Sequence, residues 1–255
     1  MDTVRANVEA IAQALADAYT QNRPVVDAAL PPPASLAEAA EVQAAVARRL
    51  DAHVAGWKVG YTPEGTPVAA PIFDRLMKPS GAHFPLREPS LWGVEPEIAF
   101  RLGVDLQRRI VQPYTREDIL SAVDAVLVGI EVVASRVVDH KQAPYLLYVA
   151  DNIGNAGYAF GSENRQWQDI DLANLRTTLT INGSIVHDAI GGHPTIDPLK
   201  PLVDYVNAQS DRLGGFRAGQ IITTGSMCGL VAVEEAGEVA VTIDRIGEAR
   251  LYIHG

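Results

Sequence analysis
Apolar residues recur every three or four positions over the first twenty residues: Val4, Val8, Ile11, Leu15 and Tyr19. That spacing puts them on one face of an amphipathic helix. The proline-rich RPVVDAALPPPAS that follows has no period and reads as a connection. Ser35 and Glu38 then form S-x-x-E, a capping box ahead of the alanine-rich LAEAAEVQAAVARRLDAH. From about residue 54 the pattern changes, and VAGWKVGY and EIAFRLG read as strands. Thr115 caps a further helix over REDILSAVDAVL, which runs towards the β-rich VGIEVVASRV. AGYAFG and TTLTING follow as strands, with Asn182-Gly183 as a turn signal. PLKPLVDYVNAQSDRL reads as a helix ended by Gly214-Gly215. QIITTGSMCGLVAV, EVAVTIDRIG and EARLYI read as closely spaced strands. The expectation is an α+β chain: a helical N-terminal portion, 1–55, on a β-rich catalytic core, 56–255, forming one structural unit.

The chain has 255 residues, 47% hydrophobic and 20% charged, which suffices for a sizeable core. Its formal net charge of −10 argues against broad binding to a phosphate backbone. Cys228 is the one cysteine, so no internal disulfide can form, which suits a reducing setting. MDTVRANVEAIAQAL lacks the basic stretch and apolar core of a secretory leader. No apolar run approaches the roughly 20 residues that span a bilayer, and the longest, AVLVGIEVVAS, holds a glutamate. A soluble, cytoplasmic protein with no nucleic-acid or membrane partner is expected.

Several catalytic signatures are missing, among them G-x-G-x-x-G after a strand, the P-loop, H-E-x-x-H and G-x-S-x-G. The six histidines are scattered. The glutamates stand out instead. In GVEPEIAF, Glu95 and Glu97 lie one residue apart in an otherwise apolar run, so on a strand they face the same way. Glu131 sits in VLVGIEVVAS with apolar residues on both sides. An unpaired buried carboxylate costs several kcal/mol or stays protonated. One resolution pairs each glutamate with a cation such as Arg101 or Arg136; the other gathers all three around a divalent cation. Carboxylate-only ligation suits a hard ion, Mg²⁺ or Mn²⁺, and leaves positions for water and a chelating substrate. Lys58, the lone charge of VAGWKVGY, either snorkels to water or acts beside such a metal as an acid/base or charge-neutralising group. Asp151 and Asn152 precede a glycine-containing turn and fit either a cap or a site.

Taken in order, GWKVGYT, VEPEIAF, GIEVVASRVVD, VADNIGNAGYAFG and TTGSMCGLVAVEEAGEVAVTIDRIGEARLYI resemble the 2-hydroxypenta-2,4-dienoate hydratase / 4-oxalocrotonate decarboxylase family, within the fumarylacetoacetate hydrolase superfamily. The stretches cover most of the chain from residue 56 onward. The resemblance implies a mixed β-roll or sandwich with flanking helices, and a homo-oligomer. It implies Glu95, Glu97 and Glu131 as metal ligands and Lys58 as the lysine of the site. Two departures stand out. Where the family carries a longer segment ending in P-D-F/Y-G-x-L, this chain has PIFDRL, with Ile72 at the acidic position and Asp74 at the glycine position; Asp74 is the candidate substitute in substrate binding. Pro96 lies between the glutamates where relatives often have alanine, which suggests an edge or bulge position.

The implied activity is a metal-dependent hydration of a 2-hydroxy-2,4-dienoate to a 4-hydroxy-2-oxo acid in the breakdown of aromatic compounds. Alternatives are a 4-oxalocrotonate-type decarboxylase and a C–C bond hydrolase of a dioxo acid, which needs a histidine relay the motifs do not offer. A metal-stabilised scaffold without turnover is the non-enzymatic rival. Thr224, Gly225 and Ser226, at the end of an apolar strand, are candidate substrate contacts together with Asp74, Asp151 and Asn152.

Overall fold
The computed structural model describes residues 2–21, 26, 30–85, 91–138 and 142–255. Helix α1, Asp2–Gln21, and helix α2, Leu36–Arg49, pack together through Val8, Ile11, Leu15, Val42 and Val46. At the start of α2, Ser35 Oγ accepts from the Glu38 N–H at 3.2 Å. The Glu38 carboxylate accepts from the Ala34 N–H at 2.9 Å, one residue earlier than a standard capping box. The same apolar cluster takes in Val68, Ala70 and Phe73 of the following sheet, so the helices are seated on the β core.

Twelve strands are present among the described residues: β1 Val54–Tyr61, β2 Pro67–Phe73, β3 Met77–Pro79, β4 Ala82–Pro85, β5 Leu91–Leu102, β6 Val123–Ala134, β7 Asn155–Asn164, β8 Arg176–Ile181, β9 Ser184–Ile190, β10 Ile221–Ser226, β11 Gly237–Ile243 and β12 Gly247–His254. They form a seven-stranded sheet, β2-β1-β10-β5-β6-β7-β3, and a five-stranded sheet, β4-β12-β11-β8-β9. Three further helices are α3 Arg116–Ala122, α4 Tyr145–Ala150 and α5 Lys200–Ala208. Val128, Ile130 and Val132 of β6 share one core with Val239 and Val241 of β11 and Leu251 of β12, so the sheets pack face to face. No helix among the described residues is long and apolar enough to cross a membrane.

Three boundaries differ from the sequence expectation. The helix capped by Thr115 stops at Ala122, and VDAVL joins β6 instead. There Ala125 and Leu127 pair with Arg101 and Ala99 of β5, and the ladder overrides helical spacing. Helix α5 ends at Ala208, ahead of Gly214-Gly215. Beyond it, the Asp211 carboxylate accepts the N–H groups of Leu213 and Gly215, a local alternative to helical bonding. Asn182 and Gly183 do make a two-residue turn, but they lead into β9, which the sequence pattern does not announce.

Pro96 sits on an interior strand, since β5 lies between β10 and β6. The β10–β5 register shifts between Thr223 and Ser226. The Pro96 carbonyl accepts from the Met227 N–H at 2.8 Å on that side. A residue's N–H and C=O point to the same side of a strand, so the N–H that proline lacks falls where the ladder is already broken.

Candidate active site
Glu95 and Glu97 project from one face of β5, and Glu131 of β6 is the cross-strand partner of Glu95. Lys58 of β1 pairs with Thr223 of β10, which pairs in turn with Ala99 of β5. The lysine and the glutamates therefore share a face. Lys58 Nζ lies 2.7 Å from Glu131 Oε2 and 3.6 Å from Glu95 Oε2. The two arginines considered from sequence are engaged elsewhere, Arg101 with Glu163 and Arg136 with Asp151. The Ile153 carbonyl also accepts from Lys58 Nζ, at 3.3 Å. It is presented by Asn152-Ile153-Gly154, all with positive φ (52°, 51° and 72°). For a β-branched residue such as Ile153 that conformation costs about 1–3 kcal/mol and persists only where the surroundings impose it.

Glu97 and Glu131 are fully buried. Burial, followed by repulsion from Glu131 and Glu95, holds Glu97 well above the ordinary carboxylate range. Glu131 is pushed up to about 7 by burial, against the stabilising charge of Lys58. For Lys58, burial alone would lower the pKa, but the carboxylates of Glu131 and Glu95 outweigh it and keep the ammonium form. Asn155 Nδ2 donates to Glu131 Oε1 at 2.9 Å, and Thr223 Oγ1 donates to Glu97 Oε2.

The residues fit a hard divalent cation. One oxygen from each glutamate lies within 4.8 Å of the others. Glu97 Oε1 is buried without a hydrogen-bond partner, which a cation would satisfy. Three ionised carboxylates against one ammonium leave two negative charges, matching an Mg²⁺-like ion and its preference for oxygen.

A cavity of about 890 Å³ opens over Lys58 and Glu95. Thr224, Gly225 and Ser226 line it, and Thr224 Oγ1 is buried without a partner. Gly225 has φ 130°, and a Cβ there would stand 3.2 Å from His193 Nε2, so the close approach calls for glycine.

Asp74, Asp151 and Asn152 do not line this cavity. Asp74 is exposed, in a 3₁₀ turn after β2, where its carboxylate accepts the Arg75 N–H. The apolar side chains of Ile72 and Phe73 take the interior positions instead. Asp151 is buried against Arg136, with Oδ1 2.9 Å from Nη1, and Oδ2 accepts from the Arg136 N–H. Asn152 Nδ2 donates to the Tyr19 hydroxyl at 2.8 Å. Both therefore brace the turn that carries Ile153.

Sequence reasoning passed over Thr223, Asn155 and Tyr148, whose types and spacing carry no signal until the register is known. His193 is one of six scattered histidines and carries no motif in the sequence. It is buried beside the cavity, with Nε2 3.1 Å from the Thr224 carbonyl and Nδ1 2.9 Å from Thr195 Oγ1. Burial holds its pKa below the usual histidine value. A nitrogen facing a carbonyl carries the proton, so Nε2–H is the donor to Thr224.

The family model described as fumarylacetoacetate (FAA) hydrolase C-terminal matches residues 37–253. The chain belongs to the fumarylacetoacetate hydrolase family. This family member is 31% identical over 206 residues to a 2-keto-4-pentenoate hydratase of Burkholderia vietnamiensis, covering 77% of each chain. It is 34% identical over 158 residues to a 2-keto-4-pentenoate hydratase of Paraburkholderia xenovorans, or 62% of this chain and 57% of that one. Its fold matches a solved 4-oxalocrotonate decarboxylase from Pseudomonas putida, complexed with magnesium and adipate, with a TM-score of 0.82. That match covers 98% of both chains at 21% identity.

Proposed function
We propose that this family member is a divalent-metal-dependent hydratase that converts a 2-hydroxy-2,4-dienoate into a 4-hydroxy-2-oxo acid. The observation that carries this reading is the cluster of Glu95, Glu97 and Glu131, one oxygen from each within 4.8 Å of the others, beside the Lys58 ammonium, with Lys58 and Glu95 on the cavity lining. The hydratase relatives support the same chemistry. A cation held by Glu95, Glu97 and Glu131, Mg²⁺ or Mn²⁺ by its donor set, would supply Lewis acidity at the substrate's C2 oxygen. Lys58 holds a proton at Nζ, directed by Glu131 and the Ile153 carbonyl, and moves it between the C2 oxygen and the dienoate carbon chain. Ketonisation takes the proton from the 2-hydroxyl and adds one at C5; water then adds its hydroxyl to C4 and a proton to C3. Thr224, Gly225 and Ser226, which line the cavity, are the substrate contacts in this reading.

The decarboxylase alternative is supported by sequence likeness to 4-oxalocrotonate decarboxylases of Pseudomonas, 28% identical over 155 residues and 27% over 222 residues, below the 31–34% of the hydratase relatives. A C–C hydrolase reading has less support, because both nitrogens of His193 are engaged inside the protein. A cytoplasmic homo-oligomer is part of the proposal, in keeping with the single Cys228 and the family. The experiment is ultraviolet absorbance of a 2-hydroxydienoate with enzyme and Mg²⁺. Hydration removes the conjugated chromophore; a stable spectrum at full metal occupancy would rule the reading out.

A further inference from the structure
Tyr158 of β7 is fully buried, and its hydroxyl makes no hydrogen bond within the protein. Burying a hydroxyl without a partner costs free energy that a phenylalanine would avoid. Strand β6 adds to that cost. A Cβ on Gly129 would stand 1.9 Å from the hydroxyl, so the position beneath it must be glycine. Yet β6 is an interior strand, where glycine is a weak choice. Two unfavourable choices thus converge on keeping one oxygen in one place.

The register says which place. Tyr158 is the cross-strand partner of Glu131, and directly opposed residues project from the same face. The ring therefore shares a face with the glutamates. Its hydroxyl reaches over Gly129, which is the cross-strand partner of Glu97. Opposed Cβ positions stand about 4.5–5.5 Å apart, so the hydroxyl is within reach of the Glu97 carboxylate. The ring belongs to an apolar cluster with Ile72, Leu76, Ala99, Leu127 and Ile221, whose side chains offer it no polar atom. Glu97 and Thr223 are its polar neighbours, and burial followed by the Glu97 charge holds the phenol well above its ordinary pKa. It therefore keeps its proton and is a donor. Thr223 Oγ1 already donates to Glu97 from β10, on one side of β5, while Tyr158 comes over β6 from the other. The two hydroxyls bracket a carboxylate that still has one oxygen, Oε1, without a partner.

We propose that Tyr158 is a positioning residue for Glu97: its hydroxyl donates to the Glu97 carboxylate when that group holds a divalent cation, and together with Thr223 it fixes the carboxylate's orientation. This rests on the three-glutamate reading above and gives β7 a part in it.

The test is Tyr158→Phe, which keeps the ring and removes only the oxygen. Two quantities are measured, and they should move in different directions. In EDTA-stripped protein the melting temperature should stay the same or rise, because an unpartnered buried hydroxyl is lost. In calorimetric titration of the stripped protein with Mg²⁺, Kd should weaken about ten-fold or more, the usual cost of losing an outer partner of a metal ligand. A smaller loss of affinity overturns the proposal. So does a stripped variant that melts below wild type, because weaker binding would then follow from a loosened fold. Wild-type protein that binds neither Mg²⁺ nor Mn²⁺ removes the three-glutamate reading itself, and the assignment of Tyr158 with it.

Discussion
Lys58 is the one cation within reach of Glu95 and Glu131 among the described residues, and its role separates chemistry from stability. Lys58→Ala is expected to lower dienoate turnover by about 10²–10⁴-fold, the usual worth of a positioned proton donor. Turnover near wild type would remove it from the mechanism. Arg136 has the opposite character. It is buried against Asp151 and donates to the Asn155 carbonyl, away from the cavity lining. Arg136→Met leaves a buried carboxylate unpaired, and a loss of about 3–5 kcal/mol is expected in chemical denaturation. Glu131 gives a pH signature. Its folded pKa, about 7, lies above the ordinary 4.5 of the unfolded chain. Metal-free protein should therefore be most stable, as far as this group is concerned, below pH 4.5 and should lose stability as pH rises towards 7. Melting temperatures of stripped protein between pH 5 and 7.5 check the sign. Glu131→Gln should flatten the slope, and a wild-type slope that rises would contradict the assignment.

The glutamates and the lysine can be found in the sequence because each is a charge with apolar residues around it in a strand. Their pairing cannot, because it depends on β1, β10, β5 and β6 lying side by side in an order that differs from chain order. For the same reason Arg101 and Arg136 look like equal candidates to Lys58 until the strands are placed. Thr223 and Thr224 are indistinguishable as a dipeptide; the bulge after Thr223 sends one hydroxyl to Glu97 and leaves the other buried without a partner. The N-terminal helices are legible because a 3.6-residue period is strong over twenty residues. Short β3, β4 and β9 carry no comparable period. Asp74 illustrates a failure of motif transfer: its neighbours Ile72 and Phe73 are core residues, so the turn puts Asp74 outside. Strand β6 also makes room for a ring. A Cβ on Gly129 would stand 1.9 Å from the Tyr158 hydroxyl, so Gly129→Ala is expected to cost about 1–3 kcal/mol. Adding Tyr158→Leu should recover part of that loss in a double-mutant cycle; simple additivity would show that the ring is not what Gly129 accommodates.

The whole molecule holds a charged row on one face of a seven-stranded sheet whose other face packs on a five-stranded sheet. The rigidity of that packing fixes three carboxylates close enough to repel one another. A bound divalent cation converts the repulsion into stabilisation, since the folded chain presents the site and the unfolded chain does not. The apolar two-sheet core supplies the stability that allows such a strained arrangement to persist. The decisive measurement is to strip the protein with EDTA and follow melting temperature and dienoate hydration together as Mg²⁺ or Mn²⁺ is restored. Both should rise in parallel and saturate together, with about 2.7 kcal/mol of added stability at a hundred times Kd. A stripped protein that hydrates the dienoate at full rate, with neither quantity responding to added metal, would contradict the three-glutamate site and the hydratase built on it.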